Sequence, residues 1–332
     1  MSYVIGIDGG GTKTKAILAD ETGCVYALSV TGPSNLSAGS CEHIKNTLRV
    51  LLMDLYRQAP DKYDEVSYGF AGMSGAGEDK SWSFLNDIFN ELTQGKYTMR
   101  VHNDAVNALY AGTLGNPGML QIAGTGTITY GVNTKGQFER VGGWGYLFDD
   151  KGSGYHISAQ ALSAVMQAHD GRGEPTMLTK LFLSHFAIQQ VTQLIPAIYR
   201  SENPKVVIAG LAPLIVQAAN ENDNAAMRIL EEAACHITDA MVALQKKLFC
   251  NLKEQTVILS GGLLTHSLYL QEKIKEQSTK LGYSFDYQFP IIDPAGGSVI
   301  MALHDLHETV HPDFVTNFQS TSAIFEQGGR HG

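Results

Sequence analysis

Two short glycine- and threonine-rich segments of this chain have the residue types that bind phosphate oxygens. The first reads Asp8-Gly9-Gly10-Gly11-Thr12-Lys13, and a related segment, Ala123-Gly124-Thr125-Gly126-Thr127, follows later in the chain. Each lies between two short apolar runs, which predicts a hairpin turn. Glycine leaves the backbone N–H groups of such a turn unshielded, so phosphate oxygens can approach them closely. Two turns that face each other would form a clamp for a polyphosphate.

The two segments differ at one position that matters for metal binding. Asp8 in the first segment corresponds to Ala123 in the second. Proteins usually hold Mg²⁺ through one or two carboxylates together with water and substrate phosphates. Only the first turn can therefore hold a divalent cation through a carboxylate, and Asp8 is the predicted metal ligand.

A third candidate for chemistry is Asp104, which follows His102-Asn103 at the predicted end of a strand. A carboxylate there could accept the proton of a hydroxyl group that attacks a phosphate. A general base of this kind typically contributes about 10²–10⁴ in rate. Aspartate is also a common N-cap residue, so Asp104 could instead cap the helix predicted at 105–113. The two roles can coexist.

Hydrophobic patterning predicts the elements that position these residues, and it repeats between the two halves of the chain. In the first half, strands are expected at 3–8, 13–20, 24–30, 65–71 and 97–102, and helices at 41–58, 80–92 and 105–113. The second half begins with strands at 118–123, 127–132 and 137–142. It continues with helices at 153–170, 177–198 and 222–249, strands at 206–210 and 255–260, and helices near 264–277 and 295–308.

The composition argues against several classes of function. The chain has 332 residues, enough for two domains, and its net charge of −9 disfavours nucleic acid or an anionic membrane as partner. The longest apolar stretch, Val206–Val216, is interrupted by Gly210 and Pro213 and is shorter than a membrane span of about 18 residues. The cysteines and histidines show no disulfide or metal-ligand spacing. A reducing cytoplasm is the expected setting.

In the order and spacing of its motifs, the chain resembles the actin-like ATPases. Within them it resembles the BadF/BadG-type ATPases and, more closely, the N-acetylglucosamine kinases, from Ile5 to about Leu306. The resemblance implies an α/β fold of two actin-like (ribonuclease H-like) domains, each a mixed five-stranded sheet flanked by helices, with a cleft between them. The expected N-terminal domain covers 1–114, and the C-terminal domain, with a helical insertion, covers 115–310. A tail at 311–332 could pack back on the body.

The resemblance implies that the two turns bind ATP and Mg²⁺. The Thr12 hydroxyl and the N–H groups of the first turn would contact the γ-phosphate, while Asp8 would hold the metal ion. Two later segments, Val207-Ile208-Ala209-Gly210 and Ser260-Gly261-Gly262, would contact adenosine. The residues expected to bind ATP are Gly9, Gly10, Gly11, Thr12, Lys13, Gly124, Thr125, Gly126, Thr127, Ala209, Gly210, Gly261 and Gly262.

The segment from Gly142 to Tyr155 resembles the kinase signature GGWGxxxGDEGSxY, which contacts a hexose. It departs from that signature at Asp149, where the family has Gly, and at Lys151, where the family has Glu. Either difference could change which sugar fits. Apart from the resemblance, the segment reads as an acidic loop that caps the following helix. The sugar-binding residues that the resemblance implies are Asn35, Gly72, Met73, Asp104, Thr127, Gly143, Trp144, Gly145 and Asp150.

The resemblance implies a kinase that transfers the γ-phosphoryl group of ATP to the 6-hydroxyl of N-acetylglucosamine, with Asp104 as general base. Glucosamine and glucose are alternative acceptors. An activator ATPase of the BadF type needs cysteines for an iron–sulfur cluster, and Cys24, Cys41, Cys235 and Cys250 lack suitable spacing. A sugar-sensing repressor would need a DNA-binding segment before the first phosphate strand. The expected partners are therefore a sugar and a nucleotide, without nucleic acid or membrane, and the chain could form a homodimer.

Overall fold

The computed structural model describes residues 2–34, 40–75, 79–250 and 254–328. Contacts between residues divide the chain into two compact units, Met1–Asn116 with Pro290–Gly332 and Pro117–Phe289. Residues 290–310 therefore pack with the first unit, whereas the expected C-terminal domain included them. Within the described ranges, no helix has both the length and the apolar character that a membrane crossing requires.

The elements follow one another in a mixed α/β order. The strands are β1 (Tyr3–Gly9), β2 (Thr14–Asp20), β3 (Val25–Thr31), β4 (Val66–Met73), β5 (Thr98–Asn103), β6 (Gly118–Ala123), β7 (Thr127–Val132), β8 (Phe138–Gly142), β9 (Glu254–Ser260) and β10 (Ser284–Gln288). The helices are α1 (Cys41–Gln58), α2 (Pro60–Asp64), α3 (Asp79–Thr93), α4 (Ala105–Thr113), α5 (Gly154–His169), α6 (Leu178–His185), α7 (Leu194–Tyr199), α8 (Pro204–Ala209), α9 (Ala212–Asn220), α10 (Asn224–Leu248), α11 (Gly262–His266), α12 (Leu268–Lys280), α13 (Pro294–Asp305) and α14 (Phe314–Gly328).

The first unit is built on a mixed five-stranded sheet with the strand order β3-β2-β1-β4-β5. Strand β1 is antiparallel to β2 and parallel to β4, and β4 is parallel to β5. Because parallel strands end at the same edge of a sheet, the carboxyl ends of β1, β4 and β5 lie side by side. In this register Asp8 lies opposite Gly72, and Gly72 lies opposite His102. This edge therefore brings Asp8 close to Asp104, which follows β5.

Helix α1 illustrates how the sequence sets an element that supports this sheet. Its N-cap, Ser40, accepts a hydrogen bond from the N–H of His43, and the helix ends just before Pro60. Fully burying one leucine contributes about 1.5–3 kcal/mol, so an apolar stripe contributes more than helix propensity does. The stripe consists of Ile44, Leu48, Leu51, Leu52 and Leu55, all of which are buried.

The second unit contains another mixed five-stranded sheet, with the strand order β10-β9-β6-β7-β8. Strand β6 takes the place that β1 has in the first sheet: it is antiparallel to β7 and parallel to β9. The long helix α10 packs against this sheet. Its predicted core stripe is confirmed, since Ala226, Ile229, Ala233, Ile237, Met241, Leu244 and Leu248 are all buried. The two sheets confirm the predicted fold class.

The predicted strand at 206–210 is wrong, because this segment forms helix α8. The side chain of Asn203 accepts a hydrogen bond from the N–H of Val206, and Pro204 occupies the first turn, where its missing N–H costs nothing. These start signals outweigh the β-branched run at 206–208. The predicted helix at 177–198 is also divided, into α6, a 3-10 turn at Val191–Gln193 and α7. Strand β10 and helices α2, α9 and α14 are absent from the predicted elements.

Candidate functional site

The first glycine turn joins β1 to β2 at the edge where the three parallel strands end. The N–H of Gly10 donates a 3.0 Å hydrogen bond to the carbonyl of Lys13, which closes the turn. Gly11 and Thr12 are exposed, and their N–H groups donate to no residue within the described ranges. Unpaired N–H groups and an exposed threonine hydroxyl can bind the oxygens of a phosphate.

Close packing holds this turn in place. A Cβ at Gly9 would lie 2.4 Å from Sδ of Met73 and 2.9 Å from Oγ of Ser34, so only glycine fits there. The carbonyl of Gly9 accepts a 2.7 Å hydrogen bond from the N–H of Ser74. Met73 is fully buried. Its side chain therefore supports the turn, and only its backbone could contact a sugar.

The carboxylate of Asp8 is positioned by Asn107, in the first turn of helix α4. Nδ2 of Asn107 donates a 2.7 Å hydrogen bond to Oδ1 of Asp8 and longer bonds to the carbonyls of Ile7 (3.2 Å) and Gly72 (3.3 Å). Burial raises the pKa of Asp8 to about 6, the Asn107 bond lowers it, and the negative charge of Asp104 raises it. A bound cation would offset this cost of burying the charge. The donor set thus suits Mg²⁺.

Asp104 stands at the N-terminus of α4 but does not cap that helix. Its side chain makes no capping hydrogen bond, and Oδ1 of Asn103 instead accepts a 3.0 Å bond from the N–H of Ala105. Burial raises the pKa of Asp104, while hydrogen bonds from its own N–H, from the Ser74 hydroxyl and from the N–H of Ala105 offset part of the rise. The carboxylate is therefore available as a proton acceptor.

His102 lies on β5, two residues before Asp104, and its imidazole is neutral. Burial lowers its pKa to about 4. Its Nδ1 accepts a 2.8 Å hydrogen bond from the N–H of Asn103, and its ring packs against Trp82 at a centroid distance of 5.1 Å. His102 therefore supports the end of the strand and supplies no positive charge.

The second glycine turn lies between β6 and β7. The N–H of Gly124 donates to the carbonyl of Gly126 (2.9 Å), and the carbonyl of Gly124 accepts from the N–H of Gly154 (2.7 Å). Thr125 at the tip of the turn is exposed. The start of helix α5 is thus hydrogen-bonded directly to this turn.

The two matched threonines of the turns differ in what their hydroxyl groups do. The hydroxyl of Thr127 donates a 2.9 Å bond to the carbonyl of Ile122 and accepts a 3.0 Å bond from Nε2 of Gln121. The hydroxyl of Thr12 lies on an exposed residue. Thr127 therefore stabilises its own turn, and a ligand would meet the backbone there.

Asp150 is the buried carboxylate of the predicted sugar loop, and it packs on the second turn. A Cβ at Gly126 would lie 2.9 Å from Oδ2 of Asp150. Burial raises the pKa of Asp150, whereas hydrogen bonds from the N–H groups of Thr127 and Gly145 lower it. The residue has φ +58, a left-handed conformation that the surrounding contacts maintain. The loop and the turn therefore form one structure.

The outer part of this loop presents an aromatic face. Trp144 is 61% exposed, and the guanidinium of Arg140 stacks on its ring at 3.9 Å from the centroid. Oδ2 of Asp149 accepts a 3.1 Å hydrogen bond from the N–H of Trp144. The unusual carboxylate at position 149 thus helps to hold the loop. Gly143 (φ +74) and Gly145 (φ +104) flank the tryptophan with conformations that favour glycine.

A cavity of about 710 Å³ in the second unit brings together much of the predicted nucleotide site. This volume lies within the range of about 300–1,000 Å³ that small-ligand sites occupy. Gly261 lies outside the lining, and its backbone packs on β6, where a Cβ would meet the carbonyl of Ala123 at 2.4 Å. The lining consists of Gly124, Thr125, Gly154, Ala209, Gly210, Ala212, Pro213, Val216, Gln217, Asn220, Glu221, Gly262, Leu263 and His266.

Most of the predicted site residues therefore lie near other predicted site residues of the same unit. Gly72 leaves room for the Asn107 amide, which a Cβ at position 72 would meet at 2.3 Å. Asn35 lies outside the described residues. Asn107, Ser74, Gly154 and His266 are not among the predicted site residues. Only the position of Asn107, three residues after Asp104, carries a usable signal, because that spacing places both on one helix face.

Known proteins are similar to this chain in both sequence and fold. The profile of the BadF/BadG/BcrA/BcrD ATPase family matches residues 5–302. An N-acetylmuramic acid/N-acetylglucosamine kinase from Clostridium acetobutylicum is 34% identical over 277 residues, which are 83% of this chain and 90% of that protein. An N-acetyl-D-glucosamine kinase from Dictyostelium discoideum is 31% identical over 316 residues, 90% of this chain and 97% of that protein.

The fold is shared with a solved structure from Chromobacterium violaceum. The two superpose with a TM-score of 0.66 at 24% identity, covering 91% of this chain and 99% of the other. The family profile covers nearly the whole chain, and the two relatives align along most of their own length. The resemblance inferred from the motifs is confirmed: this chain belongs to the BadF/BadG/BcrA/BcrD ATPase family.

Proposed function

We propose that this protein is an ATP-dependent kinase that phosphorylates the 6-hydroxyl of N-acetylglucosamine. The observation that carries the proposal is the pair Asp8 and Asp104, two largely buried carboxylates at one sheet edge beside an exposed glycine turn. The names of the two relatives support the acceptor, since both are kinases of N-acetylglucosamine.

Asp104 acts as the general base in this proposal. Its carboxylate accepts the proton of the sugar 6-hydroxyl as that oxygen bonds to the γ-phosphorus, and ADP leaves with the electrons of the broken P–O bond. The raised pKa makes Asp104 a better proton acceptor than an exposed aspartate. Phosphoryl transfer has little covalent chemistry for the protein to perform, so positioning and charge neutralisation supply most of the rate.

Asp8 would hold the Mg²⁺ that accompanies ATP, in the orientation fixed by Asn107. When bound, Mg²⁺ would neutralise the negative charge that develops on the phosphate oxygens. The exposed N–H groups of Gly11 and Thr12 would bind phosphate oxygens in the same way as other backbone anion sites. The adenosine end would occupy the 710 Å³ cavity beside Thr125.

The sugar would contact the loop that carries Trp144 and Asp150. A buried carboxylate can accept hydrogen bonds from sugar hydroxyls, and the exposed indole offers an apolar face for the sugar ring. The proposed use of ATP implies a cytoplasmic enzyme. Light scattering measures whether the chain forms a homodimer.

The proposal is tested by coupled ADP release with N-acetylglucosamine, N-acetylmuramic acid, N-acetylmannosamine, glucosamine and glucose. The expected result is sugar-dependent turnover with the highest kcat/KM for N-acetylglucosamine, and a product with phosphate on O6. Preference for glucosamine or glucose would overturn the acetyl specificity. ATP hydrolysis that no sugar stimulates would overturn the kinase assignment itself.

A further inference from the structure

Three side chains outside the proposed catalytic groups converge in the second unit. His156 lies in the first turn of α5, and Glu232 and His236 lie on α10. One ligand atom from each lies within 4.8 Å of the others. The two histidines are far apart in sequence, so the linear spacing of histidines does not reveal this group.

The two residues on α10 place two ligand atoms at the separation that a zinc site requires. Glu232 and His236 are four residues apart, which places them on the same helix face. Nε2 of His236 lies 3.4 Å from Oε1 of Glu232. Neighbouring ligand atoms of a tetrahedral zinc site, each about 2.0–2.1 Å from the metal, stand about 3.3–3.4 Å apart. This pair could therefore bind one ion without a change in the helix.

His156 completes the group from the other helix. Its ring lies edge-on to that of His236, with the centroids 5.7 Å apart. Burial lowers the pKa of His156, and the neutral imidazole is the form that binds metals. Nδ1 of His156 accepts a long, 3.3 Å hydrogen bond from the N–H of Gly152, so Nε2 is the nitrogen left for a metal. Metal binding at Nε2 requires the proton on Nδ1 and gives up that bond.

We propose that His156, Glu232 and His236 form a binding site for a zinc-class divalent ion, with water as a fourth ligand. Two imidazoles and one carboxylate suit Zn²⁺, Co²⁺ or Ni²⁺, whereas Mg²⁺ prefers an all-oxygen shell. Glu232 is exposed, which leaves space for the water. The site has no residue in common with the proposed magnesium site at Asp8. It does not depend on the proposed kinase activity.

A metal ion at this site would join α5 to α10 next to the predicted sugar loop. His236 lines a small cavity of about 240 Å³ together with Trp144, Asp149 and Lys151. The hydrogen bond that metal binding gives up comes from Gly152, which lies two residues after Asp150. The ion would therefore connect the loop to the long helix.

The experiment is a calorimetric titration of the nucleotide-free protein with Zn²⁺ after chelator treatment, in a Cys41→Ser, Cys235→Ser, Cys250→Ser background. This background removes the exposed thiols, including the neighbour of His236. The expected result is one saturable site, with affinity reduced at least about tenfold by His156→Gln and by His236→Gln. The matched control His185→Gln, an exposed histidine elsewhere on the same unit, should bind as the background does.

A second measurement separates ligand loss from misfolding. Zn²⁺ should raise the thermal midpoint of the background protein, because a ligand that binds only the folded state stabilises it. Glu232→Gln, a change on an exposed side chain, should keep the metal-free midpoint and lose most of that rise. A background protein without a saturable zinc site, or variants that bind zinc as the control does, would overturn the proposal.

Discussion

The side-chain amide of Asn107 donates a 2.7 Å hydrogen bond to the carboxylate of Asp8, across two elements that are separated by 99 positions in the chain. The same nitrogen also reaches the carbonyls at the ends of β1 and β4. One amide from α4 therefore fixes the direction of the proposed metal ligand and ties it to the sheet. In the proposed reaction Asn107 is a positioning residue.

Replacement of Asn107 should disturb both stability and metal use. Asn107→Ala leaves a buried carboxylate without its donor, so we expect a loss of about 1–3 kcal/mol in the free energy of unfolding. The Asn107 bond lowers the pKa of Asp8, so its removal raises that pKa further. At limiting Mg²⁺, the acid limb of the pH–rate profile should move to higher pH. Asn46→Ala, at an exposed position, is the control, and an unmoved acid limb would contradict the positioning role.

Asp8 should make the metal-free protein less stable as pH rises. Its pKa is about 6 in the folded protein against an ordinary value of 3.8, so the folded state binds the proton more tightly. The resulting stabilisation is complete below pH 3.8 and is lost as the pH rises through about 6. In EDTA at pH 7.5, Asp8→Asn should therefore be more stable than the parent, by up to about 3 kcal/mol.

Urea unfolding at pH 4.5 and 7.5 measures this difference. The gain from Asp8→Asn should shrink towards the lower pH, and Asp87→Asn, at an exposed position, is the control. A variant that is less stable than the parent at both pH values would show that burial does not control this carboxylate.

Gly126 should be needed for the position of Asp150. A methyl group at 126 would meet Oδ2 of Asp150 at 2.9 Å and push the buried carboxylate or the turn aside. We expect Gly126→Ala to raise the KM for the sugar about tenfold or more, since small displacements of binding groups are costly. Gly32→Ala, where a Cβ has nothing within 4 Å, is the matched control. Equal KM values for the two variants would show that the position of Asp150 does not determine sugar binding.

The cavity of the second unit should determine nucleotide affinity. Val216 lines it, so Val216→Trp would fill part of the 710 Å³ volume. We expect the KM for ATP to rise at least about tenfold, with a much smaller change in the KM for the sugar. The control is Val206→Trp, at an exposed position on α8 outside the lining. An unchanged KM for ATP would place the adenosine elsewhere.

The residue types of the first turn carried most of what could be predicted about the candidate site. Glycines next to a strand-end aspartate have few structural uses, so the local sequence alone makes Asp8 and Gly9–Thr12 candidate site residues. Asn107 was harder to identify, because its partner is distant in the chain and its spacing of three residues from Asp104 is the only local signal. The same reason hides the cluster of His156, Glu232 and His236.

Secondary structure shows a similar division. Helix α1 has an N-cap and an apolar stripe, helix α4 ends at a left-handed C-cap residue, and both match the predicted bounds. Helix α8 differs from the predicted strand because the Asn203-Pro204 start signal outweighs its β-branched run. The position of α13 in the first unit depends on tertiary contact: a Cβ at Gly297 would lie 1.9 Å from the carbonyl of Asn107. No local pattern reports such a partner.

The most direct test of the central claim is the turnover of Asp104→Asn with ATP and N-acetylglucosamine. The amide keeps the shape of the side chain and cannot accept the proton of the 6-hydroxyl, so kcat should fall about 10²–10⁴-fold. Circular dichroism and the affinity for ATP should stay close to those of the parent protein. Turnover near that of the parent would contradict the assignment of Asp104 as the general base.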